Sequence, residues 1–392
     1  MRILQVTPYF APAWAYGGPP RSVYELSTTL ADRGHDVTVL TTDALTSRER
    51  VTGNAHDARM QVHHARNVTN YLAWRHQLFL PLGTDSFLRQ RIHEFDLIHV
   101  HGYRTIQNVV VRQQAMKAGI PYVFSAHGSI PRIVRRQAAK AAYDVLYGKR
   151  FLRDAAALLA VSNAESTQYQ NVGVPKSKIS VIYNGINAAE FRILPPRGAF
   201  APSLGLGNYR IIVYIGRLNA RKGLDVLVRA FALLSETRRD VALVLVGPDD
   251  GYRANIRRLT RSLRIAAPVV FVGLVTMPKK LEVLVDSDVV AYPGTHEIFG
   301  LVPFEALLCR RPVVVADDSG CGEIIRQQRA GITFLPGDPK ALQRGIEASL
   351  RGGTDIESAV RRGFDFVQTE LNWNRIASAT EAVYEDVVAM ER

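Results

Sequence analysis

The sequence predicts an α/β protein made of two doubly wound domains, each a parallel sheet with helices on both faces. Three observations support this. Apolar, strand-sized runs alternate with amphipathic segments up to residue 185 and again from 209 to 372, and such alternation builds parallel sheets. Between them, residues 186–208 set Pro195, Pro196, Pro202 and three glycines among few periodic apolar residues, which reads as a linker. The chain has 392 residues, long for one core and comfortable for two.

Taken in order, "RILQVTP" is the first strand, and "PPRSVYELSTTLADRG" is a helix with Val23, Leu26 and Leu30 on one stripe and Gly34 past its end. "HDVTVLTTD" and "DLIHVHG" are strands, "TIQNVVVRQQAMKAG" a helix and "PYVFSAHG" a strand. A basic helix over 132–153 and the strands "AALLAVS" and "ISVIYNGIN" complete the first half. The second half runs "RIIVYIG", "KGLDVLVRAFALLSE", "VALVLVG", an Arg-rich helix, "APVVFVG", "MPKKLEVLVDS", "DVVAYPG", "GLVPFEALLCR", "RPVVVAD", "GCGEIIRQQR" and "GITFLPG", then helices to the end. Ligands of such sheets sit at the carboxyl ends of the strands, and two facing domains form a cleft.

Composition narrows the class. With 47% hydrophobic and 22% charged residues the chain is an ordinary globular one. Its apolar runs fall short of the roughly 18–20 residues of a membrane span. The start "MRILQVTPYF" reads as a strand rather than a signal peptide, so a cytoplasmic location is expected, with contact at the inner membrane face left open. Cys309 and Cys321 are too few for a disulfide framework and are expected as packed, reduced thiols. The net charge of +13 is concentrated. Residues 132–153 hold seven Lys/Arg against one acid, and 253–264 hold five Arg and none. Such blocks suit phosphate-rich partners or an anionic membrane as well as a solvated face. Arg132, Arg136 and Lys140 recur every fourth residue and are expected on one helix face, on the acceptor or membrane side.

The chemistry concentrates in "PGTHEIFGLVPFEALL". A strand ends before Gly294 and a helix starts near Leu301, so the amides of Phe299, Gly300 and Leu301 stand at a helix N-terminus that favours an anion. Gly300 permits close approach, and Pro303 costs little in the first turn. Glu297 and Glu305 flank the turn with acceptors that suit sugar hydroxyls. In "YIGRLNARKGLD", Arg217 and Lys222 follow a strand end and would neutralise a pyrophosphate. Gly17 and Gly18 lie between the first strand and first helix, where phosphate-approaching loops occur, without forming the three-glycine dinucleotide fingerprint. His127 ends a strand at a mouth position. His99 and His101 alternate and are read as pointing to opposite faces, which precludes a shared metal. "HEIFG" is not a zinc motif, and "DSD" at 286–288 is read as structural, so no metal site is expected.

The combination of Glu297-x7-Glu305 around "FGL", "GRLNARKG", "VIYNGIN", "YGGPPRSVYELSTTLADRGHDVTVLT", "DLIHVHG", "PYVFSAHG", "GCGEII" and "GITFLPGD" resembles the retaining GT-B nucleotide-sugar glycosyltransferases of family four, over nearly the whole chain. The resemblance implies two Rossmann-like domains, 1–185 plus about 373–392 on the acceptor side and 209–372 on the donor side, with the last helix crossing back. It implies that Glu305 holds the donor ribose, Glu297 the transferred sugar, and Arg217 and Lys222 the pyrophosphate, aided by the amides of 299–301. Gly18 would approach the phosphate, His127 the sugar, and Gly273 and Leu274 the base. No metal cofactor is implied; the co-substrate would be a UDP-sugar or GDP-mannose and the acceptor a saccharide or lipid-linked saccharide, with a role in cell-surface polysaccharide synthesis. Tyr183 and Asn187 stand where the family usually has Pro and Asp. Two other readings stay open: a nucleotide-sugar epimerase on the same scaffold, and a basic membrane- or nucleic-acid-binding protein, although a nucleic-acid partner is not expected.

Overall fold

The computed structural model describes residues 1–52, 57–133 and 136–390. The chain divides into two compact units, Met1–Gly185 with Trp373–Arg392, and Ile186–Asn372. The first is built on β1 (Arg2–Val6), β2 (Asp36–Thr42), β3 (Gln61–Asn67), β4 (Pro81–Leu82), β5 (Leu97–His101), β6 (Tyr122–Ser125), β7 (Ala157–Ala160) and β8 (Ile179–Val181). Their order is β4-β3-β2-β1-β5-β6-β7-β8, and only the β3–β4 pair is antiparallel. Strand order reverses between β1 and β5, whose register pairs Gln5 with His99 and Val6 with Val100.

The second unit holds β9 (Arg210–Ile215), β10 (Val241–Val246), β11 (Val269–Gly273), β12 (Val289–Tyr292), β13 (Val313–Ala316) and β14 (Ile332–Phe334) in the order β11-β10-β9-β12-β13-β14, all parallel. The reversal falls between β9 and β12. Helices cover both faces of a sheet like this, so its central strands are continuous apolar runs rather than alternating ones. "VALVLV" of β10 is buried at every position.

Helix ends follow local signals. Thr105 caps the helix Ile106–Ala118, accepting from the Asn108 amide at 3.2 Å, and Gly119 closes it in the left-handed conformation. The first helix, Gly18–Asp32, buries the predicted stripe of Val23, Leu26 and Leu30. The last helix, Trp373–Met390, packs on the first unit: Tyr384 is fully buried there, and Glu381 takes a two-pronged bond from Arg33, both arms 2.6 Å.

Four expectations need correction. Residues 186–208 are not a free linker: Phe191, Phe200, Ala201 and Leu206 are buried in the second unit, and the amides of Gly198, Phe200 and Ala201 donate to Asp286 at 2.6–2.7 Å. The basic helix does not span 132–153. It starts at Gln137, because Arg136 sits in the left-handed region (φ 59°), so Arg132, Arg136 and Lys140 do not share a helix face. Lys140 turns back to the Ile133 carbonyl (2.9 Å), and residues 134–135 lie outside the described ones. His99 and His101 share one face, since side chains two apart on a strand point the same way; their rings are 3.9 Å apart. Finally, β3 has no counterpart in the strands read from sequence, because its "QVHHARN" lies towards the sheet edge and is polar.

Candidate active site

Of the charged residues singled out in the second unit, Lys222 and Glu297 are brought into contact, while Arg217 and Glu305 take other partners. β9 delivers Arg217 just beyond its carboxyl end, and a short turn presents Lys222 before the helix Leu224–Thr237. β12 ends at Tyr292, two residues before Gly294, and Glu297 follows. The Lys222 ammonium bonds Glu297 Oε1, and the Tyr292 hydroxyl donates to Glu297 Oε2 at 2.9 Å. The Glu297 carbonyl accepts from the Cys321 amide (2.9 Å) and the Ser319 hydroxyl (3.1 Å). Burial and the facing carboxylate push the Tyr292 phenol well above its ordinary range, so it stays a donor. Arg217 is half-buried, and its guanidinium lies 3.7 Å from the Asp250 carboxylate.

Gly300 precedes the helix Leu301–Leu308 and has no side chain with which to cap it. Its φ is 70°, and a Cβ there would lie 2.9 Å from the Tyr292 ring and 3.0 Å from Cys321 Sγ. The backbone therefore needs glycine both for conformation and for space. Phe299 is buried against Phe304, ring centres 5.0 Å apart, which fixes the turn. Glu305 lies within this helix, only 4% exposed, and pairs with Lys280 at 2.5 Å. Gly273 ends β11 with φ 87°, and Leu274 beyond it is 70% exposed, an apolar surface at a strand's carboxyl end.

Asp286 and Asp288 are structural. Asp286 accepts three backbone amides, and Asp288 accepts from the Ile211 amide at 2.7 Å and pairs with Arg197 and Arg210. Asn187 accepts from the Ala189 amide at 3.3 Å, the capping role that an Asp there would perform.

The first unit holds the remaining candidates. Gly17 (φ 112°) leads into the first helix, where Pro19 and Pro20 occupy the first turn. His127 follows β6 in a left-handed conformation (φ 50°), with its Nε2 3.0 Å from His101 Nδ1. Burial lowers the His127 imidazole to about 4, so it is neutral near pH 7. Glu165, fully buried, accepts from the Gly128 amide (2.6 Å) and the Val161 amide (2.8 Å), clamping the loops after β6 and β7; burial raises its carboxyl to about 7. Among the described residues no cluster of His, Cys, Asp or Glu fits a metal ion.

Sequence reasoning missed Tyr292, Asp250, Lys280, Ser319 and Glu165. Tyr292 carries a usable signal, ending the strand that delivers Glu297. Lys280 and Asp250 come from elements distant in sequence and carry none.

A parallel sheet with ion-paired acids and cations beyond its strands, beside a helix N-terminus that has no side-chain cap, is equipped to hold an anionic group and a polyol together, as suits the glycosyltransferases of the GT-B fold. Two family models match in turn, Glycosyltransferase Family 4 over residues 16–190 and Glycosyl transferases group 1 over residues 199–363. The chain belongs to the group 1 glycosyltransferases. It is 29% identical to an uncharacterised glycosyltransferase of Methanocaldococcus jannaschii, covering all of this chain and 99% of that one. It is 27% identical to a glycogen synthase of Mycobacterium tuberculosis, over 98% of this chain and 94% of that one. The fold is shared with Anabaena HepE, crystallised with UDP and glucose: TM-score 0.77, 21% identity, 98% of this chain and 100% of the other.

Proposed function

We propose that the enzyme moves a hexose-type sugar, with retention and without a metal ion, from a nucleotide-diphosphate sugar to a hydroxyl of a glycan or lipid-linked saccharide. The observation that carries this is the Lys222–Glu297–Tyr292 cluster beside the Gly300 turn. Arg217 and Lys222 supply the positive charge that a leaving diphosphate needs. The amides at 299–301 add the helix N-terminus. Glu297 accepts from a hydroxyl of the transferred sugar, and Glu305 from the ribose once Lys280 shifts. Gly273 and Leu274 flank the base, and in the first unit His127 meets a sugar hydroxyl. HepE was crystallised with UDP, which favours UDP over GDP as the first base to test.

Retention by a covalent intermediate needs a free carboxylate nucleophile. Glu297 is held by Lys222 and Tyr292, which lowers its nucleophilicity. This favours same-face transfer, in which a donor phosphate oxygen takes the acceptor's proton.

An anionic bilayer carrying the acceptor suits the helix that begins at Gln137. Val145, Leu146 and Tyr147 are exposed on it, and Lys149, Arg150 and Arg153 follow within the next two turns. Exposed apolar side chains next to cations fit an anionic membrane interface. Among the described residues no helix is long and apolar enough to cross a membrane.

Thermal-shift titration with UDP, UDP-glucose, GDP and GDP-mannose tests the donor, because a bound ligand raises the melting temperature by mass action. A rise with one diphosphate and its sugar is expected; no response to any of them overturns the reading. Turnover is expected to persist in excess EDTA. Loss in EDTA with recovery in Mg²⁺ or Mn²⁺ overturns metal independence.

A further inference from the structure

A line of buried polar side chains in the first unit ends at His127. Gln5, His99, His101, Ser125 and Tyr384 are each at most 4% exposed. His127 Nε2 lies 3.0 Å from His101 Nδ1, and His101 Nε2 lies 2.7 Å from Gln5 Oε1. Gln5 Nε2 is 3.5 Å from the Tyr384 hydroxyl, which is 2.6 Å from His99 Nδ1, and His99 Nε2 is 2.8 Å from Ser125 Oγ. The chain thus joins β1, β5 and β6 to the helix Trp373–Met390, which arrives from the far end of the sequence.

Its direction follows from which atoms can donate. An amide oxygen only accepts, so His101 Nε2 carries its proton towards Gln5. A neutral imidazole has one N–H, which leaves His101 Nδ1 with a lone pair. His127 Nε2 must then be the protonated nitrogen, and His127 Nδ1 holds the lone pair. Beyond Gln5, the amide N–H points at Tyr384, whose hydroxyl donates to His99 Nδ1, and His99 Nε2–H faces Ser125. Burial holds all three imidazoles neutral, lowering each below its ordinary range.

Among the described residues nothing bonds His127 Nδ1, although it is hidden from water. A buried acceptor without a donor is destabilising, and one retained in a folded protein calls for an explanation. The loop itself is held: His127 and Gly128 take left-handed φ values of 50° and 79°, and Glu165 fixes the Gly128 amide.

We propose that Gln5, His101 and Tyr384 are positioning residues that hold His127 as the tautomer protonated on Nε2, so that its Nδ1 lone pair accepts from a substrate hydroxyl as the loop adjusts to the bound sugar. His127 then serves as a neutral acceptor and not as an acid. The sugar ligand rests on the function proposed above; the tautomer and the network do not.

Histidine side-chain ¹⁵N spectra of the full chain read the tautomer directly, without substrate. The wild type is expected to show His127 protonated on Nε2. Gln5→Met, close in volume, and Tyr384→Phe, which removes one oxygen, are expected to shift it towards a tautomer mixture. Turnover of UDP-glucose should fall on the order of ten-fold in each, the equivalent of one lost hydrogen bond, while the Kd for UDP stays at the wild-type value. A wild-type His127 protonated on Nδ1 overturns the proposal, as do folded variants that keep both the tautomer and full turnover. Failure of the wild type to bind UDP or turn over UDP-glucose would instead count against the proposed function, and the spectra would still decide the network.

Discussion

At the carboxyl ends of its strands the first unit gathers histidines, an amide and a tyrosine, joined by hydrogen bonds and almost closed to water, with a buried glutamate holding the backbone of the adjoining loops. The second unit holds three ion pairs, Lys222 with Glu297, Arg217 with Asp250 and Lys280 with Glu305. Both sheets reverse strand order in the same way, so topology puts a site at the same place in each. The side chains then decide what it can hold. Fixed charges suit a diphosphate that leaves with negative charge. Neutral donors and acceptors suit hydroxyls, which would be displaced by water if the site were charged and wet.

The contrast can be tested by removing one group at a time. The largest effect is expected at Glu305. It is only 4% exposed, so Glu305→Ala strands Lys280 without its counter-ion. A loss of about 3–5 kcal/mol of stability follows, read as a lower denaturation midpoint. Glu305→Gln should lose less, because it keeps an acceptor for Lys280. Equal losses in the two variants would show that the carboxylate charge carries the whole effect, and no loss in either would show that the ion pair contributes little.

Next is Glu165, whose buried carboxyl belongs to the neutral site. Its folded pKa of about 7 lies above the ordinary 4.5, so between these values the folded state binds more protons than the unfolded one. Its contribution is therefore fully present below about pH 4.5 and is lost as pH rises through 7. Relative to wild type, Glu165→Gln should gain on the order of 3 kcal/mol between those limits. Melting curves across pH 4–8 check the slope, and a difference independent of pH would contradict it. His127 has the opposite sign: its pKa is lowered to about 4, so its contribution is complete above its ordinary 6.5 and is lost as pH falls towards 4.

Glu297 is expected to separate binding from turnover. Glu297→Ala frees Lys222 for the diphosphate, so UDP affinity should hold or rise, while turnover falls by about 1.5–3 kcal/mol of transition-state stabilisation. Titration with UDP beside steady-state kinetics checks this; weaker UDP binding would assign Glu297 to the diphosphate instead.

The smallest effect is expected at the basic helix. Lys149→Gln and Arg150→Gln should each weaken sedimentation with anionic liposomes at low salt by about 1 kcal/mol, with UDP binding intact. Wild-type protein that ignores such liposomes would remove the membrane from the proposal.

Much of this was legible in the residues. Period and punctuation place nearly every strand of the second unit, because continuous apolar runs bounded by Gly, Pro and Asp have few other folds available. Glu297, Gly300, Arg217 and Lys222 could be singled out because each stands just beyond a strand or at a helix start, and sequence neighbours set those positions. The region 43–94 was opaque: β3 is polar, β4 is two residues long, and neither shows a clear period. The basic helix was read too long because charge spacing was counted through a residue whose backbone turns left-handed.

By itself the sequence determined the two doubly wound units and the cationic, glycine-bearing turns beyond the strands of the second. These depend on local periodicity and on residues within a few positions of one another. Tertiary structure alone decided that Lys222 meets Glu297 across 75 residues, that Lys280 buries with Glu305, and that Tyr384 reaches Gln5 and His99 from 379 and 285 residues away. Those partnerships rest on which strands lie side by side and which helix returns to cover them, and nothing local to either partner encodes that.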